Sequence, residues 1–219
     1  MLAASWPSPA GFDEYALTFD RQRERRLLVI PALFDEANKL RRFTVETMRR
    51  LDAAGIDTFL PDLPGTNESL DWPFEQDLAK WRAAMAGAAQ HFGATHALSI
   101  RGGCLVATVD LPTAQYAPVS GAKILRGLLR AHLMQKREAG VHLKMEDELA
   151  EGRKEGLCMV GYDWSAQLIR DLEAADPPAT DLAIAQPQLG GPGLWLRAEP
   201  SKDGKQSEAL ARIVQEWLV

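Results

Sequence analysis

Cysteine and histidine are scarce: two and four in 219 residues. Cys104 and Cys158 lie far apart, so neither a disulfide framework nor a thiolate metal site has the spacing it needs. The P-loop, GxGxxG, HExxH and CxxC patterns are all missing, which leaves nucleotides, cofactors and catalytic metals without a signature. There is no basic surplus. Lys and Arg number 25 against 30 Asp and Glu, a net charge of −5, and this disfavours a nucleic-acid partner. No apolar run approaches the ~18–20 residues of a membrane span. The opening MLAASWPSPAGFDEY has neither the basic nor the apolar region of a secretory leader. The expectation is a reduced, cytoplasmic protein. With 46% hydrophobic and 25% charged residues, the length suits one globular domain over 1–219.

Apolar runs alternate with helical periodicities. The first ~20 residues read as irregular, apart from YALTF (15–19), which suits a short edge strand, and RQRERR (21–26) reads as a solvated hairpin turn. LLVIPALF (27–34), IDTFLPDL (56–63) and ATHALSI (94–100) read as strands buried on both faces. Between them, the spacing predicts helices over 38–54 and 75–92, closed by Gly55 and Gly93. This alternation implies a parallel sheet with helices on both faces, and ligands beyond the strands' C-terminal ends. A fourth strand is expected at 114–121 and another at 156–162. Helices are expected over 123–138, 164–175 with Asp163 as its cap, and 207–218. LAIAQ (182–186) and GLWLRAE (193–199) read as further strands, for six or seven in the main sheet. Trp81, Trp195 and Trp217 read as core.

Three turns follow one pattern. DLPGTNES (62–69) resembles the turn after a central strand of α/β-hydrolases. SIRGG (99–103) falls where these proteins carry the nucleophile elbow, and PALFDE (31–36) falls where they carry the oxyanion-hole loop. Four segments narrow the likeness: PALFDEANKLRR, IRGGCLVA, YAPVSGAKILRGLLR and MVGYDWSAQL. Together, over about residues 27–170, they are similar to the exosortase A system-associated hydrolases of the second type. That resemblance implies a three-layer α/β sandwich, mostly parallel, with a small helical lid over 122–176. It also implies an association with exopolysaccharide and protein-sorting gene sets.

The elbow's middle residue is Arg101, and a guanidinium cannot be a nucleophile. No histidine follows residue 142, where the triad base belongs in the hydrolase order. The Ser-His-Asp triad is therefore degenerate. Cys104 is the alternative nucleophile and Ser99 reads as structural. Arg101, Gly102 and Gly103, with Asn38 and Lys39 across the site, could hold a small anionic ligand. Alternatively Arg101 pairs with Glu36 or Asp35 and locks two loops together, and the two roles can coexist if the acid orients the Arg. Asp62 is expected to hydrogen-bond backbone in its turn, and Tyr162 and Trp164 to pack within the lid. Three functions remain open. They are a non-hydrolytic binding or accessory protein, an ester or thioester hydrolase using Cys104, and a structural partner that binds another protein through its lid.

Overall fold

The computed structural model describes residues 1–218. A seven-stranded sheet runs in the order β1-β2-β4-β3-β5-β6-β9. Its strands are β1 (Leu2–Pro7), β2 (Asp13–Phe19), β3 (Arg26–Ile30), β4 (Asp57–Pro61), β5 (His96–Ile100), β6 (Thr113–Tyr116) and β9 (Leu182–Ile184). From β4 to β9 all pairings are parallel, while β1 and β2 are antiparallel. The central strands are unbroken apolar runs because both of their faces are covered.

One face packs α1 (Asp35–Ala53) and α6 (Gly204–Trp217) over Leu27, Val29, Leu98 and Ile100. The other packs α2 (Leu78–His91), α3 (Gly121–Glu138) and α5 (Ala166–Ala174) over Leu28, Ile30 and Ala97. This three-layer α/β sandwich was expected from the alternation of elements. Helix α1 forms because Leu40, Phe43, Thr44, Thr47, Met48 and Leu51 recur at helical spacing on its buried side. Asp35 and Glu36 in its first turn and Arg50 in its last suit the helix dipole. Asp203 caps α6 by accepting from the Lys205 and Gln206 amides.

Between β6 and β9 the chain leaves the sheet. It forms α3, then α4 (Met145–Glu155), the hairpin β7 (Leu157–Met159)–β8 (Tyr162–Trp164), and α5. The expected cap Asp163 lies in the hairpin, and Ser165 caps α5 instead, accepting from the Leu168 amide at 3.0 Å. Among the described residues no helix is long and apolar enough to cross a membrane.

Several expectations need correction. The N-terminal stretch is a regular strand, so β2 is an internal strand and not an edge. β1 is hidden in the sequence because only Trp6 along it is buried. GLWLRAE forms a short 3₁₀ turn over Leu194–Leu196 and not a strand.

RQRERR is a largely exposed turn, as expected, but not a hairpin, because β4 lies between β2 and β3, and Arg23 and Arg26 are half-buried in ion pairs. Asp57, fully buried at the start of β4, accepts from the Arg21 and Arg23 amides at 3.1 and 2.8 Å. It also meets the Arg23 and Arg26 guanidinia at 3.2 and 3.1 Å. Arg26 forks onto Asp20 as well, and its hydrogen bonds hold the Asp20 carboxyl below its ordinary value. A buried carboxylate cannot tolerate losing such partners, and the reverse holds for the arginines. Asp57→Ala should therefore lower unfolding free energy by about 3 kcal/mol, read from urea denaturation followed by circular dichroism.

Glu14 behaves oppositely. It lies in β2, 1% exposed, with Oε1 accepting from Ser69 at 2.8 Å and Oε2 without a partner. Burial pushes its pKa up, and Asp71 and Asp62 add to the shift. The folded state thus favours the protonated acid, so this group's contribution is full at low pH and is lost as pH rises through the raised pKa. Glu14→Gln should gain thermal stability relative to the parent at pH 7 and lose that advantage near pH 4, as measured by calorimetry.

Candidate functional site

The loops at the C-terminal ends of β3, β4 and β5 meet on one face. β5 ends at Ile100, and Arg101 follows in the left-handed region at φ 53° before a 3₁₀ turn over Arg101–Val106. This is a sharp strand-to-helix corner with an arginine at its turn, at the position where the sequence resembles a nucleophile elbow. The corner is tight enough that a Cβ at Gly103 would lie 2.1 Å from the Pro31 carbonyl oxygen, so only glycine fits there. Facing it, Phe34 is also left-handed at φ 59° and leads into α1.

Arg101 is the hub of the corner. Its Nε and Nη2 donate to the two Glu36 carboxylate oxygens at 3.0 and 2.9 Å. Nη1 donates to the Ala117 carbonyl at 3.0 Å. Its guanidinium carbon sits 4.0 Å from the centre of the Trp195 ring. Three segments remote in sequence converge on this one side chain. Trp195 is thus a partner of Arg101 and not simply core, and nothing in the local pattern of GLWLRAE announces this. Lys39 is occupied separately by Asp35, at 2.9 Å along α1. Of the two roles weighed for Arg101, the ion pair with Glu36 is the one formed. Asn38, on the exposed side of α1, lines a cavity beyond this pair.

Cys104 is fully buried and lies 3.3 Å from the Ser99 hydroxyl, which also reaches the Ala114 carbonyl. Burial pushes its thiol up to about 12, the reverse of an activated thiolate. Among the described residues, no histidine is hydrogen-bonded to Cys104, Ser99 or Arg101. His132 is buried against Glu148 at 3.1 Å, between α3 and α4.

The cavity, of about 340 Å³, opens between the loops after β3 and β4 under the β7–β8 hairpin. Of the residues expected to form a site, only Asn38 lines it; Arg101, Gly102, Gly103, Cys104, Glu36, Asp35 and Lys39 do not. Its aromatic wall is Phe34 against Trp164, with centroids 4.2 Å apart, and against Trp81 at 5.8 Å. Its polar wall is Asp62, 3% exposed, which takes Arg41 Nη1 at 2.7 Å. Asp62 is therefore an ion-pair partner and not a backbone acceptor. Tyr162 and Trp164 line the cavity as well as packing within their hairpin.

Known structures share this architecture. A protein described as a candidate hydrolase from Agrobacterium vitis S4 superposes with a TM-score of 0.61 at 11% identity, covering 100% of this chain and 98% of that one. Est1E from Butyrivibrio proteoclasticus, solved with ferulic acid bound, superposes with a TM-score of 0.60 at 12% identity, covering 98% of each chain. No described protein family and no curated protein matches the sequence. The chain has the α/β-hydrolase fold.

Two outcomes follow from this geometry. In native protein iodoacetamide should label exposed Cys158 alone, and both cysteines should react once urea unfolds the chain; mass spectrometry counts the adducts. Arg101→Ala should cost about 2 kcal/mol of unfolding free energy, because it strips Glu36 of a bidentate partner; urea denaturation reads the loss.

Proposed function

We propose that this protein is a non-hydrolytic member of the α/β-hydrolase fold, a binding or accessory protein acting beside an exosortase or exopolysaccharide system. The observation that carries the reading is Arg101 at the elbow, with its guanidinium engaged by Glu36, Ala117 and Trp195. Ser-His-Asp acyl transfer needs a hydroxyl at that corner and a histidine to take its proton. The corner has neither. The buried thiol of Cys104, raised by desolvation, weighs against the alternative of a thiol hydrolase. The link to an exosortase system is supported by the resemblance of the four segments over residues 27–170. In this reading the insertion over 122–176 acts as the lid of a binding site.

A panel of short- and medium-chain acyl esters and thioesters tests it, with Cys104→Ala measured alongside. The expected result is hydrolysis no faster than buffer for both proteins. Turnover that disappears in Cys104→Ala would replace this reading with a thiol hydrolase. Arg101→Ser should remain inactive, since restoring the hydroxyl supplies no base.

A further inference from the structure

We propose that the cavity between the β3 and β4 loops binds a small, uncharged aromatic molecule bearing a hydroxyl group. The proposal rests on the non-hydrolytic reading and moves its ligand site away from Arg101. At about 340 Å³ the cavity falls within the size range of small-molecule sites, roughly 300–1,000 Å³. It lies at the C-terminal ends of parallel strands, where open α/β sheets place their ligands.

The wall divides into a body site and a head site. Phe34, Trp81 and Trp164, with Leu33 and Leu63, form an aromatic and aliphatic surface suited to a flat ring. The head site is the Arg41–Asp62 pair. Asp62 Oδ1 accepts from Arg41 Nη1, while among the described residues no donor reaches Asp62 Oδ2 and no acceptor engages Arg41 Nε or Nη2. Trp164 is 1% exposed with its indole nitrogen out of reach of solvent, so it contributes packing and not a donor to the cavity. The wall thus offers an acceptor, Asp62 Oδ2, lacking a donor, and Arg41 nitrogens lacking acceptors. A hydroxyl supplies both complements, donating to Asp62 and accepting from Arg41.

Charge selects against an acid. The charged side chains lining the cavity are one guanidinium, Arg41, and three carboxylates, Asp62, Glu68 and Asp163. Arg41 is already neutralised by Asp62, so an entering anion would meet Glu68 and Asp163 with no free cation to offset them. A neutral head has no such penalty.

Calorimetric titration of the full chain with 2-naphthol, 2-methoxynaphthalene and 2-naphthoate tests the proposal. 2-Naphthol should bind, and 2-methoxynaphthalene, which cannot donate, should bind about tenfold more weakly. 2-Naphthoate should also bind more weakly than 2-naphthol. Because Arg41 variants leave buried Asp62 unpaired and risk misfolding, the discriminating variant is Ala37→Phe. Ala37 lines the cavity from the half-exposed first turn of α1, and the larger side chain should fill the site and abolish 2-naphthol binding. No binding of 2-naphthol would overturn the proposal. So would equal affinity for the methoxy compound, tighter binding of the naphthoate, or binding unchanged by Ala37→Phe. Release of 2-naphthol from 2-naphthyl acetate by the same preparation would sink the non-hydrolytic reading separately, whatever the binding series shows.

Discussion

The bidentate contact between Arg101 and Glu36 holds together the end of the molecule that matters. It ties the corner after β5 to the first turn of α1, and through the Ala117 carbonyl and the Trp195 ring it gathers the loops after β6 and β9. Two left-handed residues, Arg101 and Phe34, lie in the two loops it joins. Such conformations cost free energy and persist only where their surroundings fix them. Here the fixing groups are a carboxylate, a carbonyl and an aromatic face. In a hydrolase the same corner exposes a nucleophile. In this chain it holds a structural cation whose hydrogen-bonding capacity is largely spent inside the protein.

Beside this corner lies the cavity. The cavity sits between α1, the loop after β4 and the β7–β8 hairpin, and it shares no side chain with the Arg101 cluster. Two ion pairs, Arg101–Glu36 and Arg41–Asp62, project from the same end of α1 in different directions. The first cements loops. The second leaves unpaired hydrogen-bonding groups in a cavity wall. One helix thus supplies both the framework and the polar part of the candidate site.

Much of the fold was legible in the sequence. The central strands betray themselves as branched apolar runs, and α1, α2, α3 and α6 by apolar residues at helical spacing, Ala among them in α2. These signals are local, and burial on both faces or on one face makes them strong. What stayed hidden depends on contacts distant in sequence. β1 carries one buried side chain, so its alternation is too weak to read. The ion pairs of RQRERR stay hidden because its partners, Asp52 and Asp57, lie in a later helix and strand. Arg101 at the corner and the lack of a histidine after residue 142 were plain in the sequence. The cavity was not, because Phe34, Asp62, Trp81 and Trp164 come from four separate stretches. Only the folded sheet brings them together.

The strand at the sheet's antiparallel end has one further consequence. β1 covers β2 along six residue pairs, and Trp6 is fully buried beneath it. β2 is itself buried along most of its length, so its backbone is suited to an interior position and not to a border. Any truncation or tag that dislodges the first seven residues would uncover unpaired amides and carbonyls beside apolar side chains, a template for intermolecular strand addition. The protection of β2 thus hangs on six residues, of which Trp6 alone is buried in the core.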